Sequence, residues 1–170
     1  MSFSDVLLPE FDEEMKNTRK LLERCPDGKF DYQPHPKSMT LGRLATHVAE
    51  LPSWASMTLD VEVLEISPGW KPAIAANRAE LLEIFDKNVK DARAKIAAAG
   101  DEQWGKMWTL KFGGNTIMSM PKAAVMRSVV MNHMIHHRAQ LGVFLRMNDV
   151  AIPGMYGPSA DEARFWEASS

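Results

Sequence analysis

Four stretches of this 170-residue chain place apolar residues at alternating spacings of three and four, the pattern of helices that each bury one face. Leu8, Phe11, Met15, Thr18, Leu22 and Cys25 draw the first stripe, with Pro9 in its first turns or kinking them. "PDGKFDYQPHPKS" then breaks the period and reads as a connecting loop. The second helix begins near Thr40, whose hydroxyl suits an N-cap, and carries Leu41, Leu44, Val48 and Leu51 up to Pro52, which should kink or end it. Leu81, Phe85, Val89, Ala92 and Ile96 mark a third, with Gly100 as a left-handed cap. The fourth takes Pro121 into its first turn, runs to about Met147, and is apolar almost all round, as suits a helix buried between neighbours.

Between these stretches "SPGWKP" reads as a loop, and "QWGKMWTLKFGGNTIM" (103–118) sets a Gly-Gly-Asn turn between short apolar runs, the pattern of a small hairpin. The Pro- and Gly-rich tail after Met147 is expected to pack as coil against the helices. The expected fold is all-α: a four-helix bundle with long connections and a small hairpin before the last helix, forming one domain over residues 1–170.

Composition narrows the partners. With 20 basic and 22 acidic residues the formal charge is -2, which gives no drive toward nucleic acid or anionic lipid. No apolar run is long enough to span a bilayer, and "MSFSDVLLPEFDEE" lacks a basic region followed by an apolar one, so a cytoplasmic protein without membrane partners is expected. Cys25 is the single cysteine, which excludes an intrachain disulfide and a cysteine-based zinc motif.

Chemistry concentrates in "MNHMIHHRAQLG" (131–142), where three of the five histidines fall within five positions. His133 and His137 lie about 40° apart on a helix surface, one turn above the other, on the stripe that Met126, Val130, Leu141 and Phe144 continue. His136 lies about 60° from the first and 100° from the second, too far round to join both. His47 sits between Leu44 and Leu51 on the inward stripe of the second helix. Inward imidazoles need partners for their ring nitrogens, and three of them satisfy that need by sharing one metal ion. Zinc is the commonest such ion; nickel, copper and iron also suit imidazole, and three ligands leave positions open for water or substrate. Core histidines bonded to backbone or water are the alternative. Position 134 is Met, so the His-Glu-x-x-His protease motif is absent, and the Glu-x-x-His pattern of di-iron bundles is missing too.

The residues around these histidines fit weaker roles. Glu50 is placed to orient His47, and Gln140 to hydrogen-bond near the metal, although exposed helix positions explain both. Arg43 and Arg138 could meet an anionic substrate, with surface ion pairs the commoner role. Trp54, Trp104, Trp108 and Trp166 could line an apolar pocket or simply fill the core. No carboxylate is positioned as a general acid or base, so no catalytic residue is assigned.

Three segments, "PEFDEEMKNTRKLLERCP" (9–26), "HPKSMTLGRLATHVAELPSW" (35–54) and "MNHMIHHRAQLGVFLRMNDVAIPGMYGPSADE" (131–162), together resemble the DinB family of damage-inducible helical metalloproteins. The resemblance implies a four-helix bundle, a homodimer, and one divalent metal, zinc or nickel, held by His47, His133 and His137. The family's "HHRGQ" stretch reads "HHRAQ" here, with Ala139 for the usual glycine, a better helix former that leaves ligand geometry intact. Relatives of such bundles include transferases and isomerases that use low-molecular-weight thiols. A metal-dependent enzyme that activates a thiol or water against a small-molecule substrate is therefore expected, with a non-catalytic metal-binding stress-response module as the alternative.

Overall fold

A computed structural model describes residues 2–162. Helix α1 spans Phe3–Leu22 and opens on a capping box in which Ser2 and Asp5 exchange side-chain and backbone bonds. Helix α2 spans Leu41–Asp60, with Thr40 accepting from the amide of Arg43 as foreseen. Helix α3 spans Arg78–Ala98 behind an Asn77 cap, and a one-turn helix α4 covers Asp101–Trp104. The last helix is continuous from Lys122 to Arg146 in three parts: α5 (Lys122–Val125), a π-helical segment (Met126–Asn132) and α6 (His133–Arg146). Pro121 closes the strand before it rather than entering its first turn. Among the described residues no helix is long and apolar enough to cross a membrane.

The apolar stripes meet in one core. Phe11, Met15 and Leu22 of α1, Leu44, Val48 and Leu51 of α2, Leu81, Phe85 and Ile96 of α3, and Met126, Val130 and Leu141 of the last helix are all buried there. Pro52 does not end α2. It cannot donate to the carbonyl one turn back, but Asn88 of α3 donates to the Ala49 carbonyl at 3.0 Å and Ser53 to that of Glu50 at 2.7 Å, so side chains hold the carbonyls around the break. Gly100 is not a left-handed cap: with φ -72° and ψ 156° it leads in extended form into α4.

The all-α expectation is overturned by a three-stranded mixed sheet in the order β1-β2-β3, which makes the protein an α/β structure on a mainly helical frame. The hairpin is β2 (Met107–Phe112) and β3 (Asn115–Pro121), joined through Gly113 and Gly114 at φ 55° and 81°, the left-handed pair that a tight hairpin turn requires. The strand without a counterpart in the sequence reading is β1, Val63–Ile66, which leaves the end of α2 and pairs parallel to β2. Leu64, Leu110 and Met118 fall in register, as do Trp108 and Met120, and these residues face the helices with Ile66 and Val125 in a second, smaller core. A bulge sets that face. Leu110 pairs with Met118 while Lys111 pairs with Thr116, so Ile117 is the extra residue and Met118 and Met120 turn inward in place of Ile117 and Ser119.

Arg138 forms a buried ion pair instead of a surface one, at the edge of a cleft that it lines with Tyr156 and Met155. It is 2% exposed and pairs with Glu14 of α1 at 2.7 Å, while donating to the Thr18 hydroxyl at 3.1 Å and to the Tyr156 hydroxyl at 2.6 Å. Tyr156 in turn donates to the Glu14 carboxylate, which ties the segment after α6 back onto α1 and α6. Breaking a buried pair strands its remaining charge, so Glu14→Ala is expected to cost roughly 3–5 kcal/mol in urea unfolding. The apolar double variant Glu14→Leu/Arg138→Met should recover most of that loss; equal losses in the two variants would contradict this role for the pair.

Candidate metal centre

His47 stands in the second turn of α2, on the face turned toward the last helix, and His133 is the first residue of α6 with His137 one turn on. Because α2 packs against α6, the three rings meet, with centroids 4.6–5.1 Å apart. One ligand atom from each lies within 4.8 Å of the others, and these three form the single metal-capable group among the described residues. His136 stacks edge-on to His137 but is exposed and outside the group, as its angular position requires.

The ring nitrogens are sorted by their outer partners. His133 Nδ1 lies 3.3 Å from the Val129 carbonyl and His137 Nδ1 lies 2.7 Å from Gln140 Oε1. Both partners accept, so each Nδ1 carries the proton and each Nε2 is left with a bare lone pair, a tautomer assigned from this network. The first of these bonds lies in the π-helical segment, where the amide of His133 bonds the Val130 carbonyl, three residues back, while its ring meets the Val129 carbonyl. Gln140 makes the hydrogen bond at the centre that its spacing allowed, to His137 Nδ1. Glu50 does not orient His47; it pairs with Arg43 at 3.0 Å.

The two bare nitrogens, His133 Nε2 and His137 Nε2, stand 2.9 Å apart, and His47 Nε2 stands 3.4 Å from that of His133. Lone pairs at such separations repel unless a cation lies among them. Zinc–nitrogen bonds of about 2.0–2.1 Å place tetrahedral ligand atoms roughly 3.3 Å apart and ligands at right angles roughly 2.9 Å apart, so the donor set fits a first-row divalent ion. A proton is a poor substitute. Burial, and then the neighbouring imidazoles and Arg43, pushes His47 down to about 4; burial above all depresses His133 and His137 as well. All three rings are therefore neutral ligands at pH 7.

Each ring also borders a cleft. His47 opens on one of about 400 Å³ with Arg43, Glu50, Trp54 and Trp70, and His133 on one of about 570 Å³ with Trp54, Leu110, Met118 and Met120. His137 and Gln140 border a third, of about 440 Å³, beside Lys37. Of the tryptophans, Trp54 thus flanks the centre, Trp108 is buried behind it, Trp104 lies in the main core, and Trp166 is outside the described residues. Sequence reasoning missed Val129, for which the α-helical period gives no signal, and the strand residues that wall the clefts. Cys25 is buried, and burial pushes its thiol up to about 12, so it is no nucleophile.

Comparison with known proteins bears on the family and the fold. A model described as the DinB family matches residues 1–168. The chain is 24% identical to "Uncharacterized protein YrdA" of Bacillus subtilis (strain 168) over 159 residues, 93% of this chain and 90% of that one. The fold is similar to that of a DinB-like protein from Bacillus cereus ATCC 10987 (TM-score 0.69, 23% identity, 88% of this chain and 95% of that one). It is also similar to the DinB-like protein YjoA of Bacillus subtilis (TM-score 0.66, 17% identity, 87% and 95%).

Two measurements check the centre. Gln140→Leu removes the acceptor that orients His137 and should weaken metal affinity roughly 10- to 100-fold in chelator competition while leaving the fold intact. In metal-free protein the His47 ring should titrate near pH 4 by NMR. Because the folded state then binds fewer protons than the unfolded chain, His47 leaves metal-free stability at its full value above about pH 6.5 and lowers it as pH falls toward 4. A His47 midpoint at the ordinary value near 6.5 would contradict its burial beside the other two rings.

Proposed function

The chain belongs to the DinB family, and on that premise we propose that it is a metal-dependent enzyme whose His47, His133 and His137 hold one divalent ion, zinc or nickel, with coordination positions left open. The observation that carries this reading is the pair of bare Nε2 atoms at 2.9 Å, each with its Nδ1 proton already committed to Val129 or Gln140. When bound in such a site, a divalent ion deprotonates a thiol or lowers the pKa of water, which supplies a nucleophile at neutral pH.

The protein's own residues hold the donor set and shape access to it. Val129 and Gln140 fix two rings, burial keeps all three neutral, and the clefts beside them admit small molecules rather than polymers. Three protein ligands favour an open, reactive site, because structural zinc takes four. With Cys25 buried, a thiol nucleophile has to arrive as a small cosubstrate, and transfer to or hydrolysis of a small molecule is the reaction class we assign. The family expectation extends to a cytoplasmic homodimer. The near-balanced charge supports a protein with neither nucleic acid nor membrane as partner.

Metal content of tag-free protein, measured by plasma mass spectrometry, tests the reading. Wild type is expected to hold about one equivalent of metal and His47→Ala close to none after dialysis against chelator. Full retention in the variant, or no metal and no affinity in wild type, would reject the centre. A loaded wild type then goes to a screen of thiol-transfer and hydrolytic substrates.

A further inference from the structure

The clefts at His47 and His133 share one wall, Trp54, and differ in everything else. Trp54 is held in place by Trp108, which is fully buried on β2 and meets it edge-on at 6.5 Å. To one side, β1 contributes Leu64, Glu65 and Ile66; to the other, β2 and β3 contribute Leu110, Met118 and Met120. The sheet therefore lies under both clefts, and its middle strand supports the partition.

The cleft at His47 sets charged side chains, Arg43, Glu50 and Glu65, among mostly apolar walls. Its two carboxylates already have partners, Glu50 in Arg43 and Glu65 in the Gly114 amide. Arg43 uses Nη1 for Glu50 and for the Ala73 carbonyl, whereas its Nε and Nη2 donate to nothing among the described residues, though the side chain is only 16% exposed. A mostly buried guanidinium with two nitrogens free to donate calls for an acceptor, best a carboxylate. The surface of the cleft at His133 is almost wholly apolar: Leu110, Met118, Met120, Val129 and Trp54 form its walls, the exposed Asn132 and His136 complete the lining without a carboxylate, lysine or arginine, and Ser128 turns its hydroxyl to the Ala124 carbonyl. A charged ligand would lose its hydration there without return, while an uncharged apolar one would gain, and methionines adapt to its shape.

We infer that the centre is served by two separate ligand clefts divided by Trp54: one at His47 that takes an anionic small molecule through Arg43, and one at His133 that takes an uncharged apolar molecule. This rests on the proposed metal-centre reading for its chemistry and adds the ligand classes, a carboxylate on one side and an uncharged apolar molecule on the other. Such a division keeps the two reactants apart until both reach the same centre.

The methionines report on each cleft, Met57 on the first and Met118 and Met120 on the second. Methyl-labelled methionine NMR, on zinc-loaded and on metal-free protein, would follow titrations with 3-mercaptopropionate and with benzyl alcohol. The first probe should move Met57 alone and the second Met118 and Met120 alone. Arg43→Met should weaken 3-mercaptopropionate by about tenfold or more and leave benzyl alcohol unchanged; Met118→Glu should do the reverse. Both probes moving the same methyls would overturn the inference. Met118 and Met120 signals that shift with protein concentration instead of with probe would also overturn it, by making that face an interface between copies. Partition in a protein that binds no metal would reject the metal reading and keep the clefts, whereas mixing in a metal-loaded protein would do the opposite.

Discussion

Three neutral imidazoles with their lone pairs turned on one another make the most demanding interaction in this molecule, and much of the rest serves to hold them. Two rings on one helix need only a one-turn spacing. The third needs α2 to cross α6 at a fixed height, and that crossing depends on a core in which Leu44, Val48 and Leu51 of α2 meet the last helix and α3. Pro52, inside α2, is tolerated because Asn88 and Ser53 hold the carbonyls beside it. The Arg138–Glu14 pair, one residue after His137, locks α6 to α1 from the other side.

Local departures from regular structure supply what regular structure cannot. An uninterrupted α-helix would use the Val129 carbonyl for the amide of His133; in the π-helical segment ending at Asn132 that amide bonds Val130 instead, and the Val129 carbonyl meets the ring of the same residue. On the sheet, one extra residue at Ile117 turns two methionines toward the centre and leaves Ser119 outside, where its hydroxyl meets that of Thr109. Both are local irregularities with direct consequences for the same few ångströms of space.

These features also mark where sequence reading stops. The four helices and their inward histidines were legible because a stripe repeated over three or more turns leaves little ambiguity, and Thr40, His47, His133, His137 and Gln140 all stand where spacing put them. The hairpin was legible from Gly113 and Gly114. β1 was not: four residues are too few to show alternation, and Val63 finds its partner only at Thr109, across the whole of α3. The fold class was misjudged for that reason. Arg138 was misread because a charged residue on a helix gives no sign that a carboxylate waits on another helix, and Glu50 found Arg43 instead of His47.

The central claim is that three imidazoles, and no fourth protein group, hold one metal ion. X-ray absorption at the metal edge of tag-free, metal-loaded protein tests it most directly, because imidazole rings leave a distinctive outer-shell signal. The account predicts three imidazole nitrogens at about 2.0–2.1 Å with the remaining positions filled by solvent oxygen. A fourth protein ligand, or fewer than three imidazoles, would contradict it.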